Sequence, residues 1–137
     1  MGVASFLEKF GCWANSQPDI EGAALVGSHA RNAATEESDV DLMILTTEVA
    51  KYFQNRSWMF QFGEVEECKV ENWGRVTSLR AFYKDGMEVE FNFAAADWAD
   101  IPVDTGTYHV VTDGMRIIYD PQSILNALQQ GISSSGG

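Results

Sequence analysis

The strongest constraint on the fold lies in residues 65 to 94, where three runs, Val65 to Asn72, Arg75 to Lys84 and Met87 to Ala94, are broken by Trp73-Gly74 and Asp85-Gly86. Strand side chains alternate between two faces, and Asp-Gly suits a two-residue hairpin turn, so this third of the chain reads as antiparallel sheet. Asp113-Gly114 predicts a further hairpin joining strands Tyr108 to Thr112 and Met115 to Tyr119. Upstream, Val3, Phe6, Leu7, Phe10 and Trp13 recur at helical spacing and give a first helix one apolar stripe, ended by Pro18. Ala23 to Val26 reads as a buried strand stopped by Gly27, and Val40 to Thr46 as a second strand. Thr47 can cap a helix through Phe53, resumed around Trp58 to Phe62. Asp120-Pro121 opens a last helix through Gln130, which Gly131 stops. Helices at both ends and in the middle around a mixed β-sheet predict an α+β domain.

With 137 residues, 45% hydrophobic and 12% aromatic, the chain fits a single domain over 1–131, followed by a flexible tail over 132–137. No apolar run approaches the roughly 18 residues of a membrane span, and the start of the chain lacks a cleavable apolar leader; a cytoplasmic location is expected. Cys12 and Cys68 form no closely spaced ligand pair and read as buried thiols. A formal charge of −11 disfavours a nucleic-acid partner.

Three features carry the chemistry: Gly27-Ser28 after a buried strand, Asp39-Val40-Asp41 opening the next, and Glu88-Val89-Glu90 on a hairpin strand. Period two puts Asp39 and Asp41 on one face, and Glu88, Glu90 and Asn92 on one face of theirs, with Val89, Phe91 and Phe93 toward the core. Carboxylates held together repel unless a cation neutralises them, and Mg²⁺ prefers such hard oxygen ligands together with substrate phosphates. Gly27-Ser28, entering a short helical segment His29 to Ala34, can offer backbone N–H groups and a hydroxyl to a phosphate.

Val26-Gly27-Ser28, a ten-residue spacer from His29 to Ser38, and Asp39-Val40-Asp41-Leu42 together resemble the signature of the polymerase beta-type nucleotidyltransferase superfamily. Gly27-Ser28-His29-Ala30-Arg31 looks especially like the small bacterial nucleotidyltransferases and the antibiotic adenylyltransferases, although Asn32 stands where many have Gly. Val89-Glu90-Phe91-Asn92-Phe93 looks like the element bearing the superfamily's third carboxylate, with Glu90 favoured over Glu88 and with Glu where Asp is more usual. Asp113-Gly114-Met115-Arg116-Ile117-Ile118-Tyr119-Asp120 looks like the edge strand that closes many family members.

The resemblance implies a palm-like fold and transfer of a nucleoside monophosphate, AMP from ATP, to a hydroxyl of a small molecule or protein. Asp39 and Asp41 would bridge two Mg²⁺ ions, and Glu90 (or Glu88) would complete the set. Gly27, Ser28 and Arg31 would hold the phosphates. The antibiotic adenylyltransferases carry a helical second domain beside the acceptor, so a homodimer or a partner protein is expected to complete that site here. The competing reading is a catalytically weak or inactive nucleotide-binding module, such as the antitoxin half of a toxin–antitoxin pair.

Each residue also has a plainer reading. Glu88 and Glu90 could be the wet side of a one-sided sheet, Arg31 a surface ion pair, His29 an exposed loop residue and His109 a structural strand residue. Trp73 could flank a base or an aromatic acceptor.

Overall fold

A computed structural model describes residues 2–30, 39–100 and 105–135. Helix α1 (Val3–Ser16) precedes strand β1 (Ile20–Val26), a 3-10 turn over Gly27–His29 and strand β2 (Val40–Thr46). Helix α2 (Val49–Gln54) and a 3-10 segment, Ser57–Phe62, lead into strands β3 (Val65–Asn72), β4 (Thr77–Tyr83) and β5 (Glu88–Ala94). A 3-10 turn over Ala96–Ala99, helix α3 (Thr105–Asp113), strand β6 (Met115–Tyr119) and helix α4 (Ile124–Ser135) complete the order. The strands form one mixed sheet in the order β3-β4-β5-β2-β1-β6, as expected for an α+β domain. β2 and β5 pair in parallel, while the other neighbours are antiparallel.

Both faces of the central strands β5, β2 and β1 are covered. On one, Phe6 and Phe10 of α1, Trp58 and Phe62 pack on Leu42, Ile44, Phe91 and Phe93. On the other, Trp98, Leu125 and Leu128 pack on Ala24, Met43, Leu45 and Ala94. Glu88 and Glu90 therefore do not lie on a one-sided sheet, because the same face is roofed further along β5.

The helix expected at α1 is present, and β2 and β3 have the expected limits. β1 begins earlier than expected, at Ile20. Thr47 does not cap α2; instead Thr46 Oγ1 accepts from Glu48 N–H at 3.0 Å. The expected strand Tyr108 to Thr112 is helical, so Asp113-Gly114 is no hairpin and His109 lies on α3. Tyr, Val and Thr favour strands, but tertiary packing decides. Thr107 is fully buried and donates to Trp98 O at 3.2 Å, and Val110, one turn on, packs on the second core. Gly114, at φ 136°, ends the helix. Nor does Gly131 end α4, because Leu125, Leu128 and Ile132 continue one buried stripe and the helix runs to Ser135, into the expected tail. Cys12 is exposed rather than buried, and Cys68 is half-buried.

The register of the β4–β5 hairpin also departs from expectation. Tyr83 N–H donates to Met87 O at 2.9 Å and Gly86 N–H to Tyr83 O at 3.0 Å, which leaves a three-residue loop, Lys84-Asp85-Gly86, with Gly86 at φ 97°. Asp85 Oδ1 accepts from Met87 N–H at 3.0 Å and fixes this turn. Arg80 consequently stands opposite Glu90, whereas a two-residue turn would place it opposite Phe91 on the other face.

At the far end of β1, Asp19 ties β1 to β2 and α2. Its carboxylate accepts from Thr46 Oγ1 at 2.6 Å, Lys51 Nζ at 2.5 Å and Tyr52 Oη at 2.5 Å. Burial pushes its pKa up, but the hydrogen bonds from Lys51, Thr46 and Tyr52 outweigh burial and leave it below the ordinary value. A depressed carboxylate stabilises the fold above its unfolded pKa of about 3.9, and that contribution is lost as pH falls through the lower folded value. Asp19→Asn is expected to cost about 2–3 kcal/mol at pH 7, chiefly through the buried hydrogen bonds, with the half-exposed Lys51 adding little. Urea melts from pH 7 to pH 2 should show the difference between the two proteins shrinking below about pH 4.

Candidate active site

A single cross-strand row organises the site. Arg80 on β4 faces Glu90 on β5, Glu90 faces Asp41 on β2, and Asp41 faces Val26 at the end of β1. Asp39 lies one residue before β2, and Gly27 follows directly on β1. The parallel pairing of β2 with β5 brings the starts of both strands to one end of the sheet, so carboxylates distant in sequence converge there. Beneath the row, Asn92 Nδ2 donates to Leu42 O at 2.9 Å while its Oδ1 accepts from Ser78 Oγ at 2.5 Å, which locks β5 to both neighbours.

These residues line a cleft of about 570 Å³. Gly27, Asp39, Asp41, Arg80, Glu90 and Asn92 form its polar floor. Its wall is largely apolar, with Trp73, Val76, Trp98 and Val110. Arg75 fastens the β3–β4 turn to the turn after β5, donating to Asp97 O at 2.5 Å. Trp73, 63% exposed, lines the cleft at its rim.

Gly27 is required twice over. Its φ is 74°, in the left-handed region that costs a side-chain-bearing residue roughly 1–2 kcal/mol. A Cβ there would also stand 2.6 Å from Asp41 Oδ2. Gly27→Ala is therefore expected to lower stability by about 2 kcal/mol and to displace the Asp41 carboxylate. Thermal melting of this variant, run beside a nucleotide-binding titration, checks both effects.

The electrostatics reflect crowded negative charge. Burial, then repulsion from Glu90 and Asp39, pushes the Asp41 carboxyl up to about 6, with Arg80 opposing. Glu88 is also raised, first by its hydrogen bond with Asp39, then by burial, again opposed by Arg80. Arg80 is the counter-charge that sequence reasoning missed. Its Nη1 donates to Asp39 Oδ2 at 2.6 Å and to Glu88 Oε2 at 2.9 Å, its Nη2 donates to Glu90 Oε2, and its Nε lies 3.8 Å from Glu71 Oε1. Burial works against the Arg80 charge, but Glu90, Asp39 and Glu88 outweigh it and raise its pKa.

Of the expected site residues, Gly27, Asp39, Asp41 and Glu90 share the cleft, and Glu88 adjoins it through Arg80 and Asp39. Arg31 and the side chain of Ser28 lie outside the described residues, as does the spacer, so the expected helical segment is described only over Gly27–His29. The donor chemistry of Asp39, Asp41 and Glu90, hard carboxylate oxygens with an excess of negative charge around Asp41, fits Mg²⁺. Their present arrangement instead serves Arg80: among the described residues, no three His, Cys, Asp or Glu side chains are gathered into a ready-made metal site. No helix among the described residues is long and apolar enough to cross a membrane.

The fold is that of the polymerase beta-type nucleotidyltransferases. An aminoglycoside 6-adenyltransferase from Bacillus subtilis superposes with a TM-score of 0.52 at 15% identity, covering 69% of this chain and 36% of that one. A CCA-adding enzyme (TM-score 0.48, 14% identity, 94% of this chain and 32% of that one) and the Cid1 poly(U) polymerase (0.43, 20%, 68% and 31%) are also similar. The chain thus spans about a third of the length of these structures. No curated protein matches. The streptomycin adenylyltransferase family profile matches residues 4–129, and the chain belongs to that family.

Proposed function

We propose that this domain transfers a nucleoside monophosphate, AMP from ATP, to a hydroxyl of a small molecule or protein and releases pyrophosphate. The observation that carries this reading is the convergence of Asp39, Asp41 and Glu90 beside the Gly27 turn on the floor of the cleft. Asp39, Asp41 and Glu90 would hold two Mg²⁺ ions, which when bound supply charge neutralisation at the leaving pyrophosphate and acidify the acceptor hydroxyl. Glu90 is favoured over Glu88 because it lines the cleft directly opposite Asp41.

The chain's own groups do the rest. The Gly27 backbone, together with Ser28 and Arg31, binds the terminal phosphates. Glu90 accepts the acceptor's proton as the acceptor oxygen bonds to the α-phosphorus and the α–β bridging P–O bond breaks, leaving its electron pair on pyrophosphate. The apolar wall excludes water, and Trp73 offers a face on which an aromatic ring can stack. A formal charge of −11 supports a small-molecule or protein acceptor over a polynucleotide. In this reading a second copy of the domain or a partner protein completes the acceptor side, and the reaction is cytoplasmic.

A second reading, a nucleotide-binding module with little or no turnover, is favoured by one observation: Arg80 holds Asp39 and Glu90 in ion pairs. Calorimetry with ATP, with and without Mg²⁺, followed by pyrophosphate release across a panel of hydroxyl-bearing acceptors, separates the two. Mg²⁺-dependent release supports transfer. Tight ATP binding with no release from any acceptor supports the module.

A further inference from the structure

Arg80 lies where an internal cation most affects the site. One guanidinium contacts three carboxylates, on Asp39, Glu88 and Glu90, and a fourth, Glu71, stands 3.8 Å from its Nε. These partners fall into two sets. Asp39 and Glu90 line the cleft together with Asp41, whereas Glu71 and Glu88 are absent from its lining and flank Arg80 on either side of the row, Glu71 across from Ser78 and Glu88 across from Phe82. Arg80 is itself only partly buried, with a side chain 25% exposed, and Glu71 is 39% exposed, so the long arginine stem has room to turn without repacking the core.

Carboxylate oxygens engaged by a guanidinium cannot at the same time give their lone pairs to a metal ion. The two charges compete for one set of ligands. Without a cation, like charges at Asp39, Asp41, Glu88 and Glu90 would push one another apart, and Arg80 suppresses that repulsion.

We infer that Arg80 is a built-in placeholder for the metal charge: it holds Asp39 and Glu90 together until a divalent cation arrives, then withdraws onto Glu88 and Glu71. This rests on the reading that Asp39, Asp41 and Glu90 ligate the metal. Arg80 is thus a positioning residue that preorganises the ligands and sets the cation concentration at which the site fills. Glu71, outside the cleft, is the acceptor that makes withdrawal favourable. The arrangement couples a metal-free, ion-paired state to a metal-loaded one through a single side chain, so the two sets of pairs respond in opposite directions to metal.

The test is a Mn²⁺ titration of the purified full chain without nucleotide, read from the free-Mn²⁺ electron spin resonance signal, for the wild type, Arg80→Gln and Glu71→Gln. Arg80→Gln is expected to bind Mn²⁺ about tenfold more tightly, the scale of one lost charge-assisted competitor, and Glu71→Gln a few-fold more weakly. In the wild type, the Arg80 Nε–H nuclear magnetic resonance signal, assigned by its loss in Arg80→Gln, should move as Mg²⁺ saturates the protein. Equal or weaker Mn²⁺ binding by Arg80→Gln, or a stationary Nε–H signal at saturating Mg²⁺, overturns the inference while leaving metal binding itself in place. Absence of Mn²⁺ binding by all three proteins overturns the metal reading and this inference together. Should Arg80→Gln fail to fold, Arg80→Lys, which keeps the charge but lacks the fork, is expected to bind Mn²⁺ more tightly than wild type, and unchanged binding counts against the placeholder.

Discussion

Asp41→Asn is expected to yield a folded protein whose Mg²⁺-dependent pyrophosphate release falls by a factor on the order of 10²–10³ or more. The amide keeps the shape of the carboxylate, so the close approach to Gly27 survives. What disappears is a charge that burial and the neighbouring Glu90 and Asp39 make costly to hold. In metal-free buffer the melting temperature should therefore equal or exceed that of the wild type. Thermal melts and a pyrophosphate assay on the same preparation check both halves. A variant that unfolds would mark Asp41 as structural, and a variant that retains full turnover would remove it from the proposed chemistry.

The second large effect concerns the opposite face of the same strand. Phe91 lies between Glu90 and Asn92 but points into the first core, where it is fully buried against Phe6, Phe10, Phe62 and Trp58, the last with ring centroids 4.8 Å apart. Phe91→Ala removes an aromatic ring from the centre of this cluster and is expected to cost about 3–5 kcal/mol, a large share of the stability of a domain of this size. Equilibrium urea unfolding measures the loss directly. Because Phe91 and Glu90 are consecutive on one strand, a loosened core should also blur the position of Glu90. Nucleotide binding should then weaken even at denaturant concentrations where the variant remains folded.

Much of this arrangement was legible in the residue pattern. The alternation at Asp39-Val40-Asp41-Leu42 and at Glu88-Val89-Glu90-Phe91 assigned each side chain to its observed face, because burial of Val40, Leu42, Val89 and Phe91 leaves only one choice. The Gly27 turn was legible too, since an apolar strand broken by glycine needs a backbone that other residues resist.

The losses have identifiable causes. Tyr108 to Thr112 carries strand-favouring residues, and nothing local reveals that Thr107 and Val110 are needed against Trp98 and its neighbours. Arg80 escaped notice through a single register step. Asp85-Gly86 as a two-residue turn aims Arg80 at Phe91, whereas the observed loop of Lys84-Asp85-Gly86 aims it at Glu90. The two-residue register carries its own warning, because an unpaired arginine beside Phe91 would be costly. Arg31 and the Ser28 hydroxyl lie outside the described residues and remain part of the proposal only.

The parallel contact between β2 and β5 has a bearing on how the chain matures. Leu42 and Asn92, joined by a hydrogen bond across that contact, are 50 positions apart in sequence. A growing polypeptide would emerge with its first two acids long before the third, and loop-closure entropy delays their meeting until the intervening hairpins exist. Under the proposed metal reading, cation capture is thereby withheld until the hairpins are made and becomes a signature of the completed topology.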